Sequence, residues 1–224
     1  MSAPPASEGA PAEPLSQALK RETSALHREA ERAAFVGRCL RGEMDAASWA
    51  AFLDALLPLY AALEEGLRAH RAAPAHAAFL RYPLARAPAL TQSLRGLNVP
   101  RDPEAAALGR RFGDHLRALA GARGAPHRLL GHAYARYFGD LMGGQMLARR
   151  VGASVGPEGV GWLEFDLPAP APAIIASLHK ALDEAPWTRS ERAEIVAEAQ
   201  LAFRQSVDLF RFLDGALATG SGLP

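Results

Sequence analysis

Three glycines stand close together at 139, 143 and 144, inside a stretch whose apolar residues repeat at helical spacing. Each interior glycine costs about 0.8–1.0 kcal/mol relative to alanine in a helix, so the cluster needs a compensating reason. Gly139 and Gly143 lie one turn apart on one face, where bare backbone lets a helix lie against a flat, bulky group that side chains would hold off. The adjacent stripe carries Arg136, Asp140 and Gly144, with Tyr134 and Tyr137 a turn or less upstream. A guanidinium and a carboxylate therefore stand beside that bare wall. A tight helix crossing, or a Gly-Gly helix end, accounts for the same glycines without any ligand.

A second pattern is His27 and Glu31, an i, i+4 pair at the edge of a core-facing stripe. As a surface ion pair it contributes a few tenths of a kcal/mol. As an axial metal ligand, His27 would have its second ring nitrogen fixed by the carboxylate. Cys39 is the only cysteine, so intrachain disulfides and multi-cysteine metal sites are excluded, in keeping with a reducing cytoplasm. The chain has no Glu-x-x-His, no His-Glu-x-x-His and no phosphate-cradling GxxxxGK motif.

The elements that must position these residues are helices. Val, Ile and Thr together number 14 of 224 residues, too few to build sheets, so the reading is an all-α, single-domain, multi-helical fold. About six helices are expected: Ser16 to Arg38, with Leu19, Thr23, Leu26, Ala30 and Ala33 inward; Asp45 to Arg71, kinked at Pro58; Pro103 to Leu119; Pro126 to Val151; Pro172 to Leu182; and one from Thr188, capped by Glu191, to Leu217. Residues 74–88 read as loop with short helical pieces, and 152–172 as a loop plugged by Trp162 and Phe165. Residues 1–14 read as a disordered tail, 15–214 as the domain and 215–224 as a flexible tail. The apolar run Trp49 to Leu63 is too short to span a bilayer, and no signal peptide or tail anchor is expected. A net charge of +1 excludes nucleic-acid binding driven by bulk charge.

The segment His132-Ala-Tyr-Ala-Arg-Tyr-Phe-Gly-Asp-Leu-Met-Gly-Gly-Gln145 closely resembles the distal helix of heme oxygenases, and Leu19-Lys20 to Ala30-Glu31 resembles their proximal helix. The similarity continues through Leu59 to Glu65 and around Ala202-Phe203, from about Leu15 to Leu213. It implies a heme sandwiched between a proximal helix and a kinked, glycine-rich distal helix. His27 would be the neutral iron ligand, bonded through its other nitrogen to Glu31, with Phe203 beside the heme. Gly139, Gly143 and Gly144 would press on the porphyrin and steer O2 toward a meso carbon. Asp140, with Arg136 and Tyr60, would order the water that delivers a proton. Lys20 and Tyr134 would hold propionates.

The activity implied is oxidative cleavage of heme, at once cofactor and substrate, most readily at the α-meso carbon, to biliverdin, CO and Fe2+ by a cytoplasmic monomer. The electrons would come from an external reductase or ferredoxin, and a biliverdin-accepting protein would take the product. Two positions depart from the family pattern. Met142 stands where a serine is common, and Ile175, His179 and Lys180 occupy a region of basic propionate contacts in an open register. The alternatives are a heme carrier or sensor without turnover and a helical interaction module without heme.

Overall fold

The computed structural model describes residues 13–121 and 123–220, which form ten α-helices and no strand. They are α1 (Leu15–Glu31), α2 (Ala34–Arg41), α3 (Ala46–Ala69), α4 (Pro74–Leu80), α5 (Ala87–Leu97), α6 (Pro103–Ala120), α7 (Leu129–Val155), α8 (Pro157–Val160), α9 (Ala171–Glu184) and α10 (Arg189–Gly220). Short 3-10 turns at Pro126–Arg128 and Gly161–Leu163 complete the order.

Helix α3 is the spine, and it runs through Pro58 as one element. Asp45 caps its start, accepting from the Ser48 amide at 2.8 Å. Its 24 residues are long and apolar enough to cross a membrane, contrary to the expectation that this run is too short. Two-thirds of its most apolar window is buried inside the protein instead. The partner across its most extensive contact is α6. Gly109 makes that approach possible: a Cβ there would lie 2.0 Å from the Ala55 carbonyl oxygen, and one at Gly113 would lie 2.9 Å from that of Pro58. Gly109→Ala is therefore expected to destabilise the fold by about 1–3 kcal/mol through overpacking, read as a lowered denaturant midpoint at unchanged slope.

The expected first helix breaks in two at Arg32–Ala33, where Ala33 turns extended at φ −59°, ψ 142°. No proline or glycine marks the break. What it achieves is to send Phe35 and Cys39 into the core, both almost fully buried. Phe35 then stacks on Phe210 and tilts against Phe52. Burial pushes the Cys39 thiol up to about 12, so it behaves as an apolar core group.

The stretch 74–88 contains α4 and the start of α5, and 152–172 contains α8 and a 3-10 turn with Trp162 buried. The Thr188–Glu191 capping box is present: the Thr188 amide donates to Glu191 at 2.8 Å and the Glu191 amide to the Thr188 hydroxyl at 3.2 Å. Helix α10 continues to Gly220, so 215–220 are helical where a flexible tail is expected. At the other end Glu13 is engaged with Arg21 at 2.9 Å and Pro14 precedes α1 as its cap, while residues 1–12 of the expected N-terminal tail and 221–224 lie outside the described residues.

For the site, the arrangement of four helices matters. Helices α1 and α7 both pack on α9 and α10 while touching each other only sparsely. Ser16 fixes α1 to α9 through Asp183, with amide and hydroxyl bonds of 2.7 Å each. Gln200 donates to the Glu22 carbonyl at 3.1 Å, and Arg211 pairs with Glu29 at 2.9 Å, fixing α1 to α10.

Candidate active site

The α1 side of the gap presents His27. Its Nδ1 is 3.4 Å from Glu31, its ring meets Phe203 of α10 edge-on at 5.6 Å, and among the described residues no hydrogen bond engages Nε2. Half of the side chain is exposed, with a relative accessibility of 52%. Such an imidazole, oriented by a carboxylate and an aromatic edge with one nitrogen free, is chemically suited to bind a metal from the open side. Thr23, one turn earlier, bonds its hydroxyl back to the Leu19 carbonyl at 2.8 Å. Tyr134 of α7 reaches across to Thr23, and its phenol is raised by burial, an effect partly offset by that contact.

The α7 side presents bare backbone. A Cβ added at Gly139 or Gly143 would meet nothing within 4 Å, so neither glycine is there to admit another helix. This removes the tight-crossing explanation at these two positions. Gly144 does not share that wall: it is buried, and a Cβ there would meet Leu163 at 3.4 Å, because α7 packs on the 3-10 turn at that point. Met142 is the most exposed large apolar residue, at 71%.

Behind the wall is a partly buried polar network. Tyr60 of α3 donates to Asp140 Oδ2 at 2.6 Å. Burial pushes the Asp140 carboxyl up to about 6, opposed by the Tyr60 hydrogen bond and by the charges of Arg86 and Arg136. Arg136 is buried, donates to Gln205 at 3.2 Å and keeps Nε without a partner. Burial lowers its pKa while Tyr60 and Asp140 oppose the shift. A carboxyl titrating near neutrality beside a firmly held phenol is equipped to hold and pass a proton.

The linkage has a definite sign. The folded pKa of Asp140, about 6, lies above the ordinary 3.8, so protonation favours the fold; that contribution is complete below about 3.8 and is lost as pH rises through about 6. The gap corresponds to at most about 3 kcal/mol, and partial solvent screening brings it to about 1–2 kcal/mol. Asp140→Asn is expected to unfold at higher denaturant than the parent at neutral pH and to lose this advantage in acid, which chemical denaturation across the pH range will show.

A model of the family described as "Heme oxygenase" matches residues 13–212. The chain belongs to the heme oxygenase family. Among curated relatives of this family member, heme oxygenase 1 of Synechocystis is 28% identical, covering 93% of this chain and 88% of the relative. Heme oxygenase 1 of Bos taurus is 30% identical over 91% and 72% of the two chains. The solved Synechocystis heme oxygenase-1 in complex with heme superposes with a TM-score of 0.80 at 27% identity, over 94% of this chain and 96% of that one. The heme oxygenase from Leptospira interrogans gives 0.79 at 25% identity, over 88% and 98%. The protein is thus a heme-degrading oxygenase with the all-α fold of its family.

The structure brings His27, Glu31 and Phe203 together on one side, and Tyr60, Arg136, Asp140, Gly139 and Gly143 together on the other. Lys20 is exposed on α1 near His179, whose pKa is lowered mainly by burial, with Asp183 opposing and the Lys20 charge adding to the shift. The register left open on α9 is resolved. His179 lies edge-on to Phe138 at 4.8 Å and 6.2 Å from Tyr134, whereas Lys180 points to solvent, 3.7 Å from Glu184.

Sequence reasoning missed Arg86 and Glu64. Arg86 is buried, donating to the carbonyls of Trp162 at 2.8 Å and Glu164 at 2.6 Å, with Phe165 stacked on it at 3.7 Å. Glu64, buried one turn after Tyr60, accepts from the amides of Arg86 at 2.5 Å and Ala87 at 3.0 Å. The signal for Glu64 was a carboxylate on the apolar face of α3; Arg86 stands in an irregular stretch with no periodicity to expose it.

Proposed function

We propose that the heme oxygenase reaction of this chain takes place on a heme lying between α1 and α7, with His27 as the axial ligand to iron. The observation that carries the reading is the pair Gly139 and Gly143, whose bare faces meet no protein atom within 4 Å, immediately beside the Asp140–Tyr60 pair. A flat group fits there without displacing a side chain. Bound heme supplies the iron at which O2 is reduced and is itself the molecule opened, to biliverdin, CO and Fe2+.

The chain's own residues do the rest. Glu31, 3.4 Å from Nδ1 of His27, orients the ring so that Nε2 is left to face the iron. Gly139 and Gly143 exclude side chains from the oxygen-bearing face and confine the approach to one edge of the ring. Tyr60 holds one Asp140 oxygen, leaving the other to orient a water, and the cations of Arg136 and Arg86 favour return of Asp140 to its charged form after proton transfer. Lys20 at the rim, with Tyr134 and His179 opposite, supports anchoring of the propionates and an orientation that exposes the α-meso edge.

Electrons come from an external reductase or ferredoxin-type donor, and a biliverdin-accepting protein clears the product. The lone buried Cys39 is in keeping with a reducing, cytoplasmic location.

Hemin titration of the apoprotein, followed by addition of ascorbate or a reductase under air, tests the reading. A Soret band that forms and then gives way to biliverdin absorption is expected, with the IXα isomer on chromatography. A Soret band that persists under reductant would make the chain a heme carrier. The absence of any Soret band would remove heme from the site.

A further inference from the structure

Away from the Asp140 network, α6, α7 and α10 meet at a second cluster of donor groups. His115, His132 and Glu198 each offer one ligand atom, and these atoms lie within 4.8 Å of one another. We propose that His115, His132 and Glu198 form a second metal site that takes a divalent ion of the zinc class, with two imidazoles, one carboxylate and a fourth position open toward solvent.

The geometry is close to what such an ion needs. Both Nε2 atoms stand 2.8 Å from the same oxygen, Glu198 Oε2. With metal–ligand bonds of about 2.0–2.2 Å, ligand atoms in a tetrahedral site are about 3.3 Å apart, so the ion requires Glu198 Oε2 to move about half an ångström away from each ring while the two ring nitrogens, within 4.8 Å of each other, adjust to that same spacing. Each ligand comes from a different helix, and the α7–α10 contact is fixed by backbone: a Cβ at Gly131 would lie 2.3 Å from the Ile195 carbonyl oxygen and 2.6 Å from the Ala199 nitrogen. His132 is fully buried and Glu198 nearly so, whereas the side chain of His115 is 33% exposed and gives the ion a way in.

On binding, each ring proton moves from Nε2 to Nδ1, with no net proton released. For His132 the Nδ1 is buried without a partner, so the tautomer change exchanges one unpaired buried group for another.

One neighbour opposes the ion. Arg128 pairs with the other Glu198 oxygen, placing a guanidinium beside the incoming charge. This sets a sharp test, because removing Arg128 should tighten metal binding whereas a mere hydrogen-bond cluster would gain nothing.

The probe is Co2+ added to the full chain carrying His27→Ala, so that the other candidate metal ligand is absent. Intense ligand-field bands of four-coordinate cobalt, saturating at one equivalent and displaced by Zn2+, are expected. His115→Ala should abolish them while far-ultraviolet dichroism keeps the parent's helical signature, and Arg128→Gln should lower the dissociation constant about tenfold. Only the weak spectrum of aquated cobalt, or bands that survive His115→Ala, or an Arg128→Gln variant that binds no more tightly, would each overturn the assignment. The readout needs no heme, so its failure and failure of the heme reading are separate results.

Discussion

Replacing His27 by alanine is expected to lower heme turnover by more than about 100-fold while leaving the protein folded. Changing an outer partner of a metal-bound histidine typically costs 10–100-fold, and here the ligand itself is removed. The fold should not notice: the His27 side chain is half exposed and its only polar contact among the described residues is Glu31 at 3.4 Å, so the stability change stays within about 0.5 kcal/mol. The same exposure makes the cavity left by the ring reachable, so added imidazole should restore part of the activity in the alanine variant. Glu31→Gln should fall within the milder 10–100-fold band, since the ring keeps its Phe203 contact. The measurements are the axial-ligand signature in the absorption spectrum and biliverdin formation. Parent spectrum and parent rate in His27→Ala would assign the iron to another histidine.

What the sequence made legible follows from where local chemistry was decisive. Thr188 before Glu191 marks a helix start by its own side chain, and that cap forms as read; the helix read from Pro103 starts there, with Asp102 as its cap. The glycine spacing at 139 and 143 placed a bare wall on one face of α7, yet the sequence alone allowed a helix crossing as readily as a ligand. The empty space beyond both positions excludes the helix crossing, and that is a property of what the other helices leave uncovered. Gly144 shows the converse, since its neighbour Leu163 comes from a segment with no pattern that points toward α7.

The break between α1 and α2 was illegible for a similar reason. Nothing at Arg32–Ala33 disfavours helix locally; the chain turns because Phe35 and Cys39 gain more from burial among Phe52 and Phe210 than a continuous helix would allow. Arg86 is the functional counterpart. It lies 54 positions before Asp140 in an irregular segment, and only tertiary folding brings its charge to bear on that carboxyl. Periodicity reports faces of single helices, whereas the proton network joins α3, α7, α10 and a loop.

Asp140→Ala is expected to bind hemin as the parent does and to form biliverdin at a rate lower by about 10²–10⁴-fold. Asp140 meets the conditions for a group that positions a proton: its carboxyl is held by Tyr60 at 2.6 Å, is pushed by burial to about 6, and sits next to the open wall at Gly139. Alanine removes the carboxylate but keeps the helix, and the hydrogen bond lost is the one Tyr60 donates. Binding and turnover should therefore separate. In the parent, the turnover rate should change with pH around the Asp140 titration, and the alanine variant should lack that limb. Asp140→Asn refines the test, because it preserves size and the capacity to accept from Tyr60 while abolishing charge; slow turnover in both variants assigns the effect to the carboxylate, whereas recovery in the asparagine variant assigns it to shape. A surface carboxylate with no part in the reaction would leave stability within about 0.5 kcal/mol and biliverdin yield at the parent level, and that result would remove Asp140 from the mechanism.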